Sequence, residues 1–494
     1  MPDKWKLRVT HNKEGSLHNK PEFLLKCQEI AKNIRISMPL AQILFNRGIT
    51  NAEDGRQFLS PRLDDLGSPF SFNHMEKAVQ RIMRAVRKQE KVLIHGDYDV
   101  DGMTAVVIVY NLLRLLGCPC EYYIPDRLTE GYGIRPKKII DAYEKGFSLI
   151  ITVDCGITSS TEITLAKSLG IDVILTDHHE LLEQSADMKL NNAYAVINPK
   201  LDNCGYAFRE LSGSGVAFKL CCAIIETLSS GKRNSEVFRD YMLDAIALIT
   251  LGTIADVVPL ISENRILVKF GLNALEASRN CGLRALLELA NLDGKTAKAM
   301  DIAFRIAPKL NAAGRMGRVE LAMKLLLSDS TQEATLLARE LERENRRRQK
   351  IEAEILSAAR EKAVTTKAHE ESVLFIWGES WHSGVIGIVA ARLAEEFERP
   401  AIIITVDKNK GKGKGTARSI FGFNIFELLR SCEKDFLAFG GHSLAAGFEI
   451  PQEKIETVNK KIIRLADDSH MEDTSSFLEI DLGIPLSALS MPMV

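Results

Sequence analysis

The chain has 494 residues, 46% hydrophobic and 26% charged, with 64 Lys and Arg balancing 65 Asp and Glu for a net charge of −1. One ordinary core does not reach this length, so roughly two to four domains are expected, and near-neutrality excludes a global attraction to polyanions or membranes. No apolar run approaches the roughly 20 residues of a membrane span, "MPDKWKLRVTHNKEG" lacks a signal's apolar stretch, and nine cysteines without a CxxC pair point to a reduced, cytoplasmic protein rather than a disulfide framework or zinc ribbon.

Residues 1–70 read as short helices and loops that close in the turn-rich "FLSPRLDDLGSPF". From 71 to 328, the brief β-branched runs "KVLIHGD", "CEYYIPD", "SLIITVDCG", "DVILTDHH" and "AYAVINP" alternate with helical patterns. That is the rhythm of βαβ units, so the expected fold is α/β, a parallel sheet covered by helices on both faces. Residues 329–365 contain neither Gly nor Pro and carry Leu337, Leu341, Ile351 and Ile355 near one stripe. They predict one long connecting helix, whose "RENRRRQK" run fits either a solvated face or a phosphate-contacting one. A smaller α/β module is expected over 366–466: strand "SVLFIWGE", helix "GVIGIVAARLAEEF", strand "PAIIITV", then a mobile basic loop "DKNKGKGKGTARS", closed by "FGGHSLAAGFEI". Lys408, Lys410, Lys412 and Lys414 in that loop either attract a polyanion or are simply solvated.

The stretch "VLIHGDYDVDGMTA" (92–105) crowds His95, Asp97, Asp99 and Asp101 at the end of the first of these strands. Carboxylates so close repel one another unless something positive sits among them, and a divalent cation is the natural candidate. Three further strand ends supply candidate ligands: Asp154 in "ITVDCGI", Asp177, His178 and His179 in "LTDHHE", and Asp256 in "LGTIADVVPL". Each residue alone reads as a helix cap or a satisfied core group. Four such ends in one sheet read as a ligand site, because open α/β sheets gather ligands at the carboxyl ends of their strands. A carboxylate-rich set with a few imidazoles suits Mn²⁺ or Mg²⁺, and two such cations can activate water for phosphoryl displacement.

"HGDYDVDGMTA", "VDCGI", "TDHH", "GTIADVVPL" and "GGHSLAAGF", in this order, resemble the DHH phosphoesterase superfamily with its DHHA1 domain. Within it, "IPDRLTEGYGI", "ELSGSGVAFKL", "APKLNAAGRMG", "WHSGVIGIVAARL" and "ARSIFGFNI" are similar to the RecJ family of single-strand-specific 5′→3′ exonucleases. The resemblance runs from about residue 30 almost to the last residue.

It implies a two-lobed protein: a DHH domain (71–328), the connecting helix and a smaller DHHA1 domain (366–466). It also implies that the chain breaks off at the first strand of an oligonucleotide-binding (OB-fold) barrel (474–494). Two cations, Mn²⁺ or Mg²⁺, are implied. One is held by Asp101, Asp154, His178 and Asp256, the other by His95 and Asp99 with Asp154 bridging; Asp97 belongs to the same metal motif. Asp101, Asp154, His178 and His179 carry the catalytic assignment. Arg127 and Arg315, each near glycines, are the expected phosphate contacts, since a guanidinium fork matches phosphate oxygens. Arg418, Ser419, Gly440, Gly441 and His442 resemble the family's pocket for the 5′ end.

The implied activity is stepwise hydrolysis of single-stranded DNA to 5′ mononucleotides in recombination and repair. The strand is expected to thread between the lobes of a monomer, with a helicase or single-strand-binding protein as partner. The alternatives are a short-oligonucleotide or cyclic-dinucleotide phosphodiesterase of the same superfamily, and a catalytically silent DNA-binding relative that would have lost ligands.

Overall fold

The computed structural model describes residues 5–7, 21–181, 192–229, 236–468 and 478–484. In chain order the first elements are β1 (Trp5–Leu7), α1 (Pro21–Ile34), α2 (Met38–Asn46), α3 (Ala52–Leu59), α4 (Met75–Lys88), β2 (Lys91–Gly96), α5 (Val100–Leu115), β3 (Cys120–Tyr123), α6 (Pro136–Glu144), β4 (Phe147–Val153), α7 (Ser160–Ser168), β5 (Asp172–Thr176) and β6 (Ala195–Ile197). Helices α8 (Gly213–Leu228), α9 (Glu236–Ala255), α10 (Ser262–Ala277) and α11 (Cys281–Leu289) follow. The short α12 (Ala299–Asp301) passes through a π-helical turn, Ile302–Ile306, into α13 (Ala307–Arg315), then α14 (Val319–Leu327) and the long α15 (Thr331–Thr365). The remainder is β7 (Leu374–Glu379), α16 (Ile386–Phe397), β8 (Ala401–Asp407), β9 (Lys412–Arg418), α17 (Ile425–Arg430), β10 (Ala438–His442), β11 (Ala445–Pro451), α18 (Ile455–Asp468) and β12 (Leu478–Ile480).

Two compact units result, one of residues 61–348 and one of residues up to 60 together with those from 349 onward. The first holds a five-stranded sheet in the order β3-β2-β4-β5-β6, with every neighbour parallel. Ile94, Leu149, Ile151 and Ile174 point to one face, where they join α4, α5, α8 and the helices behind them in a single core. Leu93, Ile150, Val173 and Leu175 point to the other, under α6 and α7. Burial on both faces is why these strands read as unbroken apolar runs. Gly96 pairs with Val153, and Val153 with Thr176. Asp97, Asp154 and Asp177 therefore each stand one residue beyond the same row of the sheet.

One strand expectation is corrected. Asp256 follows α9, a 20-residue helix, and is not at a strand end. A short apolar run cannot by itself distinguish the buried end of a helix from a strand.

The second unit contains a mixed sheet, β10-β11-β9-β8-β7, parallel only between β7 and β8. Helices α17 and α18 cover one face through Ile425, Leu429, Ile455, Val458 and Ile462. The expected mobile basic loop is corrected here, because most of it is strand β9. The alternation Lys-Gly-Lys-Gly-Thr-Ala-Arg has period two, so Gly413, Gly415 and Ala417 are buried while the polar side chains alternate outward. Only the turn between β8 and β9 remains, where Lys408 pairs with Glu379 (2.7 Å) and Lys410 with Asp407 (3.5 Å).

In the same unit α1 and α2 pack through Phe23, Cys27, Ile30, Ala41 and Phe45, and β1 pairs in parallel with β12. The expected barrel segment, 474–494, falls outside the described residues except for 478–484.

Candidate metal centre

Three strand ends and one helix end build the site. Asp99 caps α5, accepting a hydrogen bond from the Gly102 N–H (3.0 Å), which turns the chain from β2 into the helix and brings Asp101 inward. The turn is braced by α13: the Val100 N–H donates to Asn311 Oδ1 (3.3 Å). Asp154 leaves β4 with φ of +58°, and Val257, next to Asp256, has φ of +61°. Left-handed backbone at a non-glycine residue costs roughly 1–2 kcal/mol, and such strain gathers at functional sites.

Among the described residues, donor atoms converge in three overlapping groups: Asp101, His178 and Asp256; Asp154, His178 and His179; and Asp97, Asp99 and Asp154. His178 Nε2 lies 3.1 Å from Asp154 Oδ1, 3.6 Å from Asp256 Oδ2 and 4.0 Å from Asp101 Oδ2. His95 belongs to none of the three groups; its ring stacks on Tyr123 at 5.5 Å.

The fit to cations is tested by buried polar atoms. His95 Nδ1 and Nε2, Asp97 Oδ1, Asp154 Oδ1 and His178 Nε2 are all buried and make no hydrogen bond within the protein. A buried polar group without a partner costs roughly 1–3 kcal/mol, so the three within the converging groups, on Asp97, Asp154 and His178, call for something that accepts their lone pairs. Burial, then the neighbouring carboxylates, push Asp97 and Asp154 well above the usual carboxylate range and Asp256 up to about 8. Asp99 is raised in the same way, by burial and then Asp101. Burial pulls His95 down to about 4 and lowers His178, keeping both imidazoles neutral as metal ligands must be. Divalent cations offset this repulsion, so the residues fit such ions.

Asp177 does a different job from its neighbours. Its Oδ2 accepts from the Ile157 N–H (2.9 Å), and its Oδ1 from the N–H groups of His178 (2.7 Å) and His179 (3.1 Å). The His179 ring Nδ1 sits 2.7 Å from that same Oδ1. Burial works against a charged ring, yet the hydrogen bond and charge of Asp177 push His179 up to about 9. The half-exposed His179 ring lies at the edge of the donor cluster, in contact with Tyr132 Oη (3.2 Å).

Of the arginines, Arg127 stacks 4.8 Å above the ring of Tyr98, the residue between Asp97 and Asp99. Arg315 ends α13 close enough for its charge, like that of Arg127, to act on the Tyr98 hydroxyl, which burial and Asp97 push up to about 12. Arg127, stacked on the residue between two of the clustered aspartates, therefore borders the cluster. The "RENRRRQK" run is largely engaged with carboxylates of its own helix: Arg346 with Glu342 (3.2 Å) and Arg347 with Glu344 (3.6 Å).

In the second unit the expected 5′-end residues also come together. Ala445 on β11 pairs with Arg418 on one side and His442 on the other, so these two cationic or polar groups flank one strand. The Ser419 N–H donates to Leu444 O (2.9 Å) and its hydroxyl to Phe423 O (2.6 Å). Gly440 and Gly447 pair beside them with open space above Gly440, and Gly441 follows directly.

The residue-by-residue reading of the sequence missed Gly213 and Ser214, at the start of α8, which reach the cluster directly. Their signal was present in "ELSGSGV", where Ser-Gly-Ser-Gly opens an apolar helix, the pattern of a helix N-terminus aimed at an anion. Ser212 caps α8, accepting from the Gly215 N–H at 3.2 Å.

Residues 91–252 match the family model "DHH family, N-terminal domain", and residues 370–468 match "DHHA1 domain". The chain is 38% identical over 458 residues to the "Single-stranded-DNA-specific exonuclease RecJ" of Bacillus subtilis, covering 92% of this chain and 56% of that protein. It is 35% identical over 439 residues to the protein of that name from Escherichia coli, covering 86% of this chain and 74% of the relative. The crystal structure of RecJ in complex with Mn²⁺ from Thermus thermophilus matches with a TM-score of 0.77 and 32% identity, covering 95% of this chain and 63% of that one. The chain thus spans 56% of the length of the Bacillus subtilis relative and less than two thirds of the Thermus thermophilus structure.

Proposed function

Since the chain belongs to the RecJ family, we propose that it is a metal-dependent 5′→3′ exonuclease that degrades single-stranded DNA to 5′ mononucleotides, acting in the cytoplasm in recombination and repair. The observation that carries this reading is the set of buried polar atoms without hydrogen bonds inside the protein, on His95, Asp97, Asp154 and His178, at the carboxyl ends of a parallel sheet. Among the described residues no helix is long and apolar enough to cross a membrane.

Asp101, Asp154, His178 and Asp256 would hold one divalent cation, and His95 and Asp99 the other, with Asp154 shared and Asp97 alongside. When bound, Mn²⁺ or Mg²⁺ supplies Lewis-acid stabilisation of the phosphate and lowers the pKa of water. The residues of the chain do the rest. Asp177 orients His179 and keeps it cationic, so that it offsets charge developing on the phosphate oxygens. Arg127 and Arg315 draw the phosphodiester toward the cluster. Water adds to phosphorus, the P–O3′ bond breaks, and the leaving oxygen takes up a proton. The released nucleotide keeps its 5′ phosphate, and the next residue becomes the new 5′ end. Arg418, Ser419, Gly441 and His442 form the candidate seat for that end, and a helicase or single-strand-binding protein is the partner such a substrate calls for.

Digestion of 5′-labelled and 3′-labelled single strands with Mn²⁺, Mg²⁺ or chelator tests the proposal. Labelled mononucleotide should appear first from the 5′ end, only with metal, while blunt duplex resists. Attack from 3′ ends, cleavage of circular single strands, or turnover in chelator would overturn it.

A further inference from the structure

We propose that Ser214 is a positioning residue that, with the N-terminus of α8, clamps Asp101 so that only its Oδ2 is left to bind a cation. Asp101 is almost fully buried and receives three hydrogen bonds from α8: the Gly213 N–H to Oδ2 (2.6 Å), the Ser214 N–H to Oδ1 (3.1 Å) and the Ser214 hydroxyl to Oδ1 (2.5 Å). A carboxylate offers about four acceptor positions. Both on Oδ1 are taken, and one on Oδ2 remains. Oδ2 is also the oxygen 4.0 Å from His178 Nε2, in the group that includes Asp256. The clamp therefore favours ligation through one oxygen and disfavours a bidentate mode.

The clamp continues into the helix that presents Asp256. Ser214 Oγ lies 3.1 Å from Ser212 Oγ, which lies 3.0 Å from Thr253 Oγ1 on α9, three residues before Asp256. All three hydroxyls are buried. This chain ties together α5, α8 and α9, the first and last of which present ligands of the same cation. Two glycines let the parts approach. A Cβ on Gly252 would collide with both Asp101 Oδ1 and Ser214 Oγ, and one on Gly213 would collide with Asp154 Oδ1. Hydrogen-bonded groups behind a ligand fix its direction, and their loss typically lowers metal affinity about 10–100-fold.

This rests on the metal reading of the site, and calorimetric Mn²⁺ titration of the full chain separates the two. Wild-type protein that binds no Mn²⁺ would overturn the metal reading itself. Given wild-type binding, Ser214→Ala should raise the Mn²⁺ dissociation constant about tenfold. Its turnover should recover to within a few-fold of wild type at saturating Mn²⁺, with an unchanged KM for DNA. Ser214→Cys, nearly isosteric but a weaker donor, should fall between, and melting in chelator checks that each variant is folded. A folded Ser214→Ala or Ser214→Cys protein with wild-type Mn²⁺ affinity would overturn the clamp. So would a loss of turnover that saturating Mn²⁺ leaves unrepaired in a folded variant.

Discussion

Asp154 Oδ1 and His178 Nε2 stand 3.1 Å apart, both buried and with no hydrogen bond between them. Two groups placed that close without bonding can both face a third body, the cation proposed for this site. The same carboxylate lies within reach of Asp97 and Asp99, so it is the one acidic residue common to both sides of the cluster.

Replacing Asp154 by Asn should separate function from stability. Asn accepts the left-handed backbone that Asp154 adopts, and it removes one of several repelling charges. In chelator the variant should be at least as stable as wild type, with a gain of roughly 1 kcal/mol at most, while hydrolysis should fall by about three orders of magnitude or more. Retention of a tenth of wild-type turnover at saturating Mn²⁺ would remove the bridging role.

Asp177→Ala should do the opposite. It strips the acceptor from three backbone N–H groups and the His179 ring in a fully buried position. Urea unfolding should show a loss of about 3 kcal/mol, and turnover should drop together with it. A variant as stable as wild type would mean that the turn after β5 holds its shape without Asp177.

Arg418→Ala should act on the strand end. Its Nη1 donates to Ala417 O (2.9 Å) on its own strand, and β11 separates that strand from the one that carries His442. Single-turnover assays with 5′-phosphorylated and 5′-hydroxyl strands should show the preference for phosphate largely lost, with metal binding unchanged. An undiminished preference would move the 5′ seat elsewhere.

Arg127→Ala should change the salt dependence of binding. A phosphate contact on a single strand adds about 0.7 to the slope of log affinity against log salt. The variant should bind more weakly and flatten the slope by about that amount. Weaker binding with the wild-type slope would assign Arg127 to holding Tyr98 rather than to DNA.

The parallel sheet, the long helix α15 and the gathering of candidate ligands at the ends of β2, β4 and β5 were legible because each signal is local. Strands buried on both faces are continuous apolar runs, and carboxylates that leave a strand end sit beside it in sequence. The element under Asp256 was misjudged because its apolar run fits a buried helix end as well as a strand. The basic segment after β8 looked like a loop because glycine weakens strand propensity. In the sheet, however, the small residues face inward and burial outweighs propensity.

By itself the sequence determined the candidate ligand types, the order of the α/β units and the family resemblance. All of these depend on residues within one element or one turn. Only the tertiary structure decided that Ser214, 113 positions beyond Asp101, donates to it, that His178 faces three carboxylates at once, and that Arg127 lies over Tyr98. Those relations arise from the packing of α5 between α8 and α9 and of loops against strand ends. Contacts across that much chain are set by which faces bury together, and no local pattern encodes them.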